Sequence, residues 1–238
     1  MDDEKVFEKI TNIIDEGDEE HIEAIIQNLR EKDEQTSKMF IIFLLERYLR
    51  QDKLDKFDYW KDYTEFDVDK KDENDFNRTF LMKIIDSNGT ADTIMHILNQ
   101  TKHINEIDES GETPVYKIIN KLEEPNTDIL AYRNVLVELL KRGANPNHLH
   151  GSIIDCVNTL EMLEEFELIL KHSKFDIIGV AYVSSITHNN YDFVEIILQY
   201  IEDVTVPIHN GMTPLQIAQN ARNPNNDIIE LVRLWGNV

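Results

Sequence analysis

The stretch GMTPLQIA, residues 211–218, repeats a pattern already present as GETPVYKI at residues 111–118. Each reads Gly, any residue, Thr-Pro, then apolar residues at helical spacing. The pattern has a physical reason. A Thr hydroxyl can accept a hydrogen bond from a free amide in the first turn of a helix. Pro has no N–H to leave unsatisfied, and its φ is already helical. Gly two residues before the Thr permits a tight turn that a side chain would obstruct. The two stretches begin 100 residues apart, close to three periods of about 33.

Weaker copies lie outside and inside that interval. NRTFLMKII, residues 77–85, places Thr79 in the Thr position, Phe80 in the Pro position and Asn77 in the Gly position. Asn tolerates left-handed backbone, so the exchange is physically reasonable. HGSIIDCV (150–157) offers Ser152 in the Thr position, and IGVAYVSSI (178–186) offers Val180. The steps along Thr113, Ser152, Val180 and Thr213 are 39, 28 and 33 residues. The second half of each unit recurs as well. ADTIMHILNQ (91–100), YRNVLVELLKRGANPN (132–147), EEFELILKHS (164–173), YDFVEIILQY (191–200) and NDIIELVRLWG (226–236) each read as an amphipathic helix. In KRGANPN the cations Lys141 and Arg142 suit a helix C-terminus. Gly143 suits a left-handed cap, and NPN is turn chemistry.

GETPVYKI, GMTPLQIA and VELLKRGANPN together resemble the ankyrin repeat, a unit of a β-turn and two helices. The resemblance runs from about residue 74 to 238. It implies an all-α solenoid of stacked helix-turn-helix repeats, about five to six units including caps. Departures are visible. The His that follows Thr-Pro-Leu in the family is replaced by Tyr116 and Gln216. The unit with Val180 loses Thr-Pro outright. KLEEPNTDILAYRN (121–134) reads as a lengthened loop, and the 28-residue step implies a shortened hairpin after residue 170.

Residues 1–73 are expected to form a divergent helical cap with one further repeat, an unrelated helical segment being the alternative. EKVFEKITNIIDEG and EEHIEAIIQNLRE read as two helices joined at Gly17-Asp18. TSKMFIIFLLERYLRQ reads as an apolar helix starting near a Thr or Ser cap, and KLDKFDYWKDYTEF follows it. KFDYWKDY (56–63) is the one aromatic cluster. Phe57 with Trp60 and Tyr59 with Tyr63 fall on adjoining helix faces, with packing the expected role and partner contact the alternative.

Composition bounds the rest. Of 238 residues, 41% are hydrophobic and 29% charged, which fits a folded chain. Eight Gly and six Pro are too few for a fold rich in tight β-turns. The formal charge of −22 disfavours nucleic acid and anionic lipid, and favours a basic partner or simply high solubility. Residues 1–36 alone hold thirteen Asp or Glu against four Lys or Arg. Cys156 is the only cysteine, so no intrachain disulfide forms. The longest apolar run, MFIIFLL at 39–45, is too short to span a bilayer. These features predict a cytoplasmic, monomeric protein.

Chemistry is sparse. His148 and His150 flank one residue and could begin a metal site, but no Cys pair or HExxH accompanies them, and His172, His188 and His209 lie elsewhere. Cys156 lies on an apolar helix without a nucleophile elbow, where a small buried residue is expected. Glu161, Glu164, Glu165 and Glu167 surround the stripe Met162, Phe166, Ile169 and Leu170, so most of them are expected to face solvent. DVDKKDENDFN (67–77) lacks the Gly and closing Glu of a calcium loop. No cofactor is expected. The resemblance implies a non-enzymatic binding module whose partner lies on hairpin tips and inner helices. By phase, the tips are Arg78, Glu109, Glu112, His209 and Met212, and the inner-helix positions are Asp86, Asn120, Lys121, Thr187, His188 and Asn220. A general protein-interaction scaffold is the first reading. An acidic inhibitor masking a basic enzyme such as a nuclease is the alternative, and an enzyme with an unfamiliar site is the third.

Overall fold

The computed structural model describes residues 3–147, 153–174 and 176–236. Ser152, His148 and His150 lie outside the described residues. Among those described, the chain forms fourteen helices and no strand, and it divides into two compact units, Met1–Val68 and Asp69–Val238. No helix is long and apolar enough to cross a membrane among the described residues.

The first unit holds α1 (Asp3–Glu16), α2 (Glu19–Lys32), α3 (Glu34–Arg50) and α4 (Leu54–Thr64). Gly17, at φ +70°, turns the chain, and Asp18 caps α2 by accepting from the His21 amide. The cap of α3 is Asp33, not the Thr or Ser expected from the sequence. Asp33 accepts from the Gln35 amide and the Thr36 hydroxyl, while its own N–H closes α2 on Leu29. Ser37 is instead buried. Phe40, Ile41, Leu44, Leu45, Tyr48 and Leu49 of α3 recur at helical spacing and meet Ile22, Ile26, Phe57 and Trp60 in the core. Within the aromatic cluster, Phe57 and Trp60 point inward. Tyr59 and Tyr63 stack with ring centroids 6.3 Å apart, and Tyr59 is exposed. Arg47 donates two hydrogen bonds to Asp15, at 2.8 and 2.6 Å, which hold that carboxyl below its usual range.

The second unit is a ladder of five helix pairs: α5 (Phe80–Asp86) with α6 (Ala91–Gln100), α7 (Pro114–Leu122) with α8 (Ile129–Arg142), α9 (Ile153–Thr159) with α10 (Leu163–His172), α11 (Ile178–His188) with α12 (Tyr191–Leu198), and α13 (Pro214–Gln219) with α14 (Asn226–Trp235). The first helix of each pair packs on the first helix of the next, and the second on the second. The core therefore runs as a line between two rows. Ile85, Ile97, Ile118, Leu139, Val157, Phe166, Tyr182, Val194 and Ile228 are all buried along it. Each such side chain contributes roughly 1.5–3 kcal/mol relative to exposure. No pair could bury its apolar side alone, because each pair's cover comes from its neighbours.

Thr79, Thr113 and Thr213 cap α5, α7 and α13, each in extended backbone and each accepting from the amide three residues on. Two residues before them, Asn77, Gly111 and Gly211 take φ of 53°, 77° and 74°. Asn77 thus occupies the left-handed backbone that the sequence pattern asks of it. Val180 does not hold the cap position. It lies inside α11, whose cap is Ile177 without a side-chain bond. The connection before α11 is correspondingly short, residues 173–177. Gly179 explains the different opening. A Cβ there would stand 2.2 Å from the Ile208 carbonyl oxygen, so the next hairpin lies against bare backbone. The lengthened loop is confined to residues 123–128, because α7 continues through Leu122 and α8 begins at Ile129.

Candidate interaction surface

Three turns precede the Thr-capped helices. Asp72 and Arg78 form one antiparallel bridge, and His209 and Met212 another. In the middle turn the Asp108 amide donates to the Glu112 carbonyl at 3.1 Å. The first two turns are joined directly. The Glu109 amide donates to the Phe76 carbonyl at 2.9 Å, and Asn77 Nδ2 donates to Glu109 Oε1 at 3.1 Å. Lys71 Nζ bonds the Ile107 carbonyl at 2.6 Å and pairs with Glu106 at 2.9 Å. Asp69 accepts from the amides of Lys102 and His103.

Beneath these turns lies a charge cluster that sequence reasoning missed. Lys83 and Lys117 stand one helical turn after Thr79 and Thr113, at equivalent places, and both are buried. Lys83 pairs with Asp72 at 2.6 Å and Asp75 at 2.9 Å. Lys117 pairs with Glu112 at 2.8 Å, Asp108 at 2.9 Å and Asp86 at 3.1 Å. Arg78 bridges the two groups, reaching Asp75 and, at 2.9 Å, Asp86. Burial alone would discharge Lys117, but Glu112, Asp108 and Asp86 outweigh it and hold its pKa above the ordinary lysine value. Burial likewise opposes the charge on Asp108. The Glu112 amide, Lys117 and the Ser110 amide overcome that and lower its pKa. Asp72 and Asp75 are lowered by the same balance, through Lys83 and the Asn74 amide for Asp72 and through Arg78 and Lys83 for Asp75. The signal in the sequence is a Lys four residues after the cap Thr, following an acidic turn, written twice 34 residues apart.

The structure thus gathers three of the residues singled out by phase, Arg78, Asp86 and Glu112, into an internal network. Lys121 is buried as well, donating to Asn88 Oδ1 at 2.7 Å and pairing with Glu124 at 2.7 Å. Glu109, Thr187, His188 and Asn220 are exposed, while Asn120, His209 and Met212 are half-buried. Thr187 bonds back to the Val183 carbonyl at 2.8 Å, and Asn220 closes α13 on Gln216. Phe76 is a further residue the sequence did not announce. It is 62% exposed at the tip of the first turn, with φ 51°, and the Arg78 guanidinium lies 5.8 Å from its ring centre. Positive φ is costly for a bulky residue. Asn210 and Gly211 fill the comparable pair of positions in the last turn without that cost.

Between α9 and α11 lies a polar network. Asn158, 1% exposed, donates to the Ile154 carbonyl and to Ser184 Oγ, and accepts from Ser185 and Asn190. Ser184 donates to Asp155 at 2.5 Å. His188 Nδ1 lies 2.9 Å from the Ser184 carbonyl oxygen, so that nitrogen carries the proton, and Nε2 lies 3.1 Å from Thr159 Oγ1. The residue types are those of a hydrolase triad, but the order is not. The serine is buried, its proton faces the carboxylate, and the imidazole presents no free acceptor to it. Cys156 is half-buried rather than buried, and burial, with Glu123 adding, pushes its thiol up to about 11. It is a poor nucleophile at neutral pH. Glu165, expected to face solvent, is buried because Arg133 of α8 reaches it at 2.6 Å. Among the described residues no group of three His, Cys, Asp or Glu is placed to hold a metal ion. Against known proteins, no family model matches this chain and no curated protein matches it significantly.

Proposed function

We propose that the chain is a non-enzymatic protein-binding module, a divergent ankyrin-type array acting inside the cell, whose partner rests on the turn tips and the exposed side of the first-row helices. The reading is supported by the register of the turns. Left-handed backbone two residues before a Thr cap recurs at Asn77, Gly111 and Gly211. The paired tips at Phe76 and Glu109 are bonded main chain to main chain. Phe76 supplies an exposed aromatic ring beside an exposed carboxylate, a combination suited to an interface centre. The exposed Glu109, Thr187, His188 and Asn220 and the half-buried Asn120 are the further contact positions in this reading.

A second reading draws on the charge. The first unit carries twenty acidic against ten basic residues, which suits masking of a basic enzyme. The experiment that separates the two is affinity capture from the native lysate at low and moderate salt, comparing the wild-type chain with a Phe76→Asn/Glu109→Lys variant. A partner that survives salt and is lost with the variant supports the tip surface. A single basic protein released by salt, whatever the tips carry, supports masking. Capture unaffected by both salt and variant refutes both.

A further inference from the structure

The second unit carries twenty-six acidic and fourteen basic residues, yet one of its edges is basic. Eight of those fourteen Lys and Arg have a carboxylate within 4 Å. Among the described residues six do not, and four of the six, Lys102, Lys141, Lys171 and Lys174, lie at the C-terminal ends of α6, α8 and α10. All four are exposed. Their closeness is visible in three ways. An open depression of about 500 Å³ is lined by Lys102, His103, Arg142 and Gly143, together with Asn105 and with Glu106, whose carboxylate is paired with Lys71. A side chain added at Gly143 would touch Lys174 at 3.7 Å. His172 has its pKa lowered by burial and then by Lys141 and Lys171. Helix-end dipoles favour cations, but Lys102 and Lys174 lie two residues beyond the ends of α6 and α10, outside the last turn of each.

The floor of this edge is rigid. Asn105 donates to the Gly143 carbonyl at 2.9 Å and accepts from the Asn145 amide at 2.8 Å. Arg142 is held by Glu138 at 2.7 Å and by the Leu98 carbonyl at 2.7 Å, so it shapes the depression while its charge is shared. The lysines around it keep theirs.

We propose that this edge binds an acidic peptide segment in extended conformation, its carboxylates taken by Lys102, Lys141, Lys171 and Lys174. Adjacent helices in a row lie about 8–10 Å apart, so three helix ends span roughly 20 Å. An extended chain covers that in about six residues, at roughly 3.4 Å each. One carboxylate per helix end therefore means an Asp or Glu at about every third position. A long polyanion such as nucleic acid is disfavoured, because beyond the strip it meets a unit of net charge −12. This site goes beyond the proposed function.

The test uses the full chain and a labelled twelve-residue peptide with Glu at every third position and Ser and Ala between, read by fluorescence anisotropy. Binding is expected at about 20 mM salt and weakened about fivefold or more at about 200 mM, where screening is shorter. Lys102→Glu/Lys174→Glu should lose at least tenfold in affinity, with an unchanged circular dichroism spectrum. Arg222→Glu, which reverses an unpaired cation between α13 and α14, should bind as wild type. No binding at low salt, or equal loss with Arg222→Glu, would overturn the site. Tighter binding of a twelve-nucleotide RNA through the same lysines would overturn its assignment to an acidic peptide.

Discussion

Replacing Lys117 by Met keeps most of the side chain's volume and removes its charge. The ammonium is 6% exposed and has three carboxylates within 3.1 Å. Its loss strands Asp108 most severely, because that residue is 7% exposed. Glu112 and Asp86 are half-buried and recover some hydration. Removing one partner of a buried pair costs about 3–5 kcal/mol, and the partial hydration of two of the three acids puts this case near 3 kcal/mol. For a unit of this size that lowers Tm by about 6–12 °C. Asp108→Asn alone leaves Lys117 with two acids and should cost about 1–2 kcal/mol. The double variant should cost about 3 kcal/mol, clearly less than the two singles together, because the second substitution removes the charge that the first one stranded. Urea titrations of the four chains at pH 7, followed by circular dichroism, measure this. The acid limb sharpens the test. The folded pKa of Asp108 is lowered, so its stabilisation is full above the unfolded value of about 3.9 and is lost as pH falls through the folded one. The gap between wild type and Lys117→Met should therefore narrow from pH 5 to pH 3. A loss under 1 kcal/mol at pH 7, or strict additivity, would refute the idea that this cluster holds the turns.

Three further outcomes are expected. Lys117 itself has a raised folded pKa, so its contribution is complete below the unfolded value of about 10.4 and is lost as pH rises through the folded one. The stability gap between wild type and Lys117→Met should therefore hold level up to about pH 10 and close only above it, and a gap that already narrows at pH 8–9 would contradict this. Thr213→Ala removes the hydroxyl that accepts from the Gln216 amide, one half of a capping box, and should cost about 1 kcal/mol in urea, more than Gln216→Ala, which removes the other half. Phe76→Asn places at φ 51° a residue that tolerates it, so thermal melts should show no loss of Tm, while affinity for a tip-bound partner should fall about tenfold. A drop of several degrees would mean that the ring serves packing instead.

The helix pairs were legible because their signals are local. A Thr cap, a Pro at the first helical position and a left-handed Gly or Asn each act within four residues, and α5, α7 and α13 open where that chemistry places them. Where the opening depends on a neighbour, the local pattern misplaces it. Counting along the repeat puts Val180 at the cap, but α11 starts earlier because Gly179 accommodates the Ile208 carbonyl, a contact 29 residues away in sequence. Asp33 is hard to read as the cap of α3 because one residue both ends α2 and begins α3. Glu165 read as solvated because its partner Arg133 lies on another helix. Charge was the least legible quantity. Its sign is additive along the chain, whereas its availability depends on which cations the fold brings near.

That distinction decides what the surface offers a partner. The acidic turns look in sequence like open carboxylates awaiting a basic protein. In the fold, Asp72, Asp75, Asp86, Asp108 and Glu112 face Lys83, Arg78 and Lys117. A paired carboxylate under a turn gives a partner little Coulomb attraction, but it fixes the backbone that carries the tip. In the proposed function the internal pairs would therefore act through geometry. They hold Phe76 against Glu109 at a fixed spacing, so a partner that grips the ring meets little of the ordering cost that a mobile loop would impose. A chain with Lys83 and Lys117 replaced would keep nearly the same acidic surface, and its carboxylates would be freer. If charge alone drew the partner, that chain would bind more tightly. If preorganised tips do, it binds more weakly, and the direction of that one change in affinity separates the two readings.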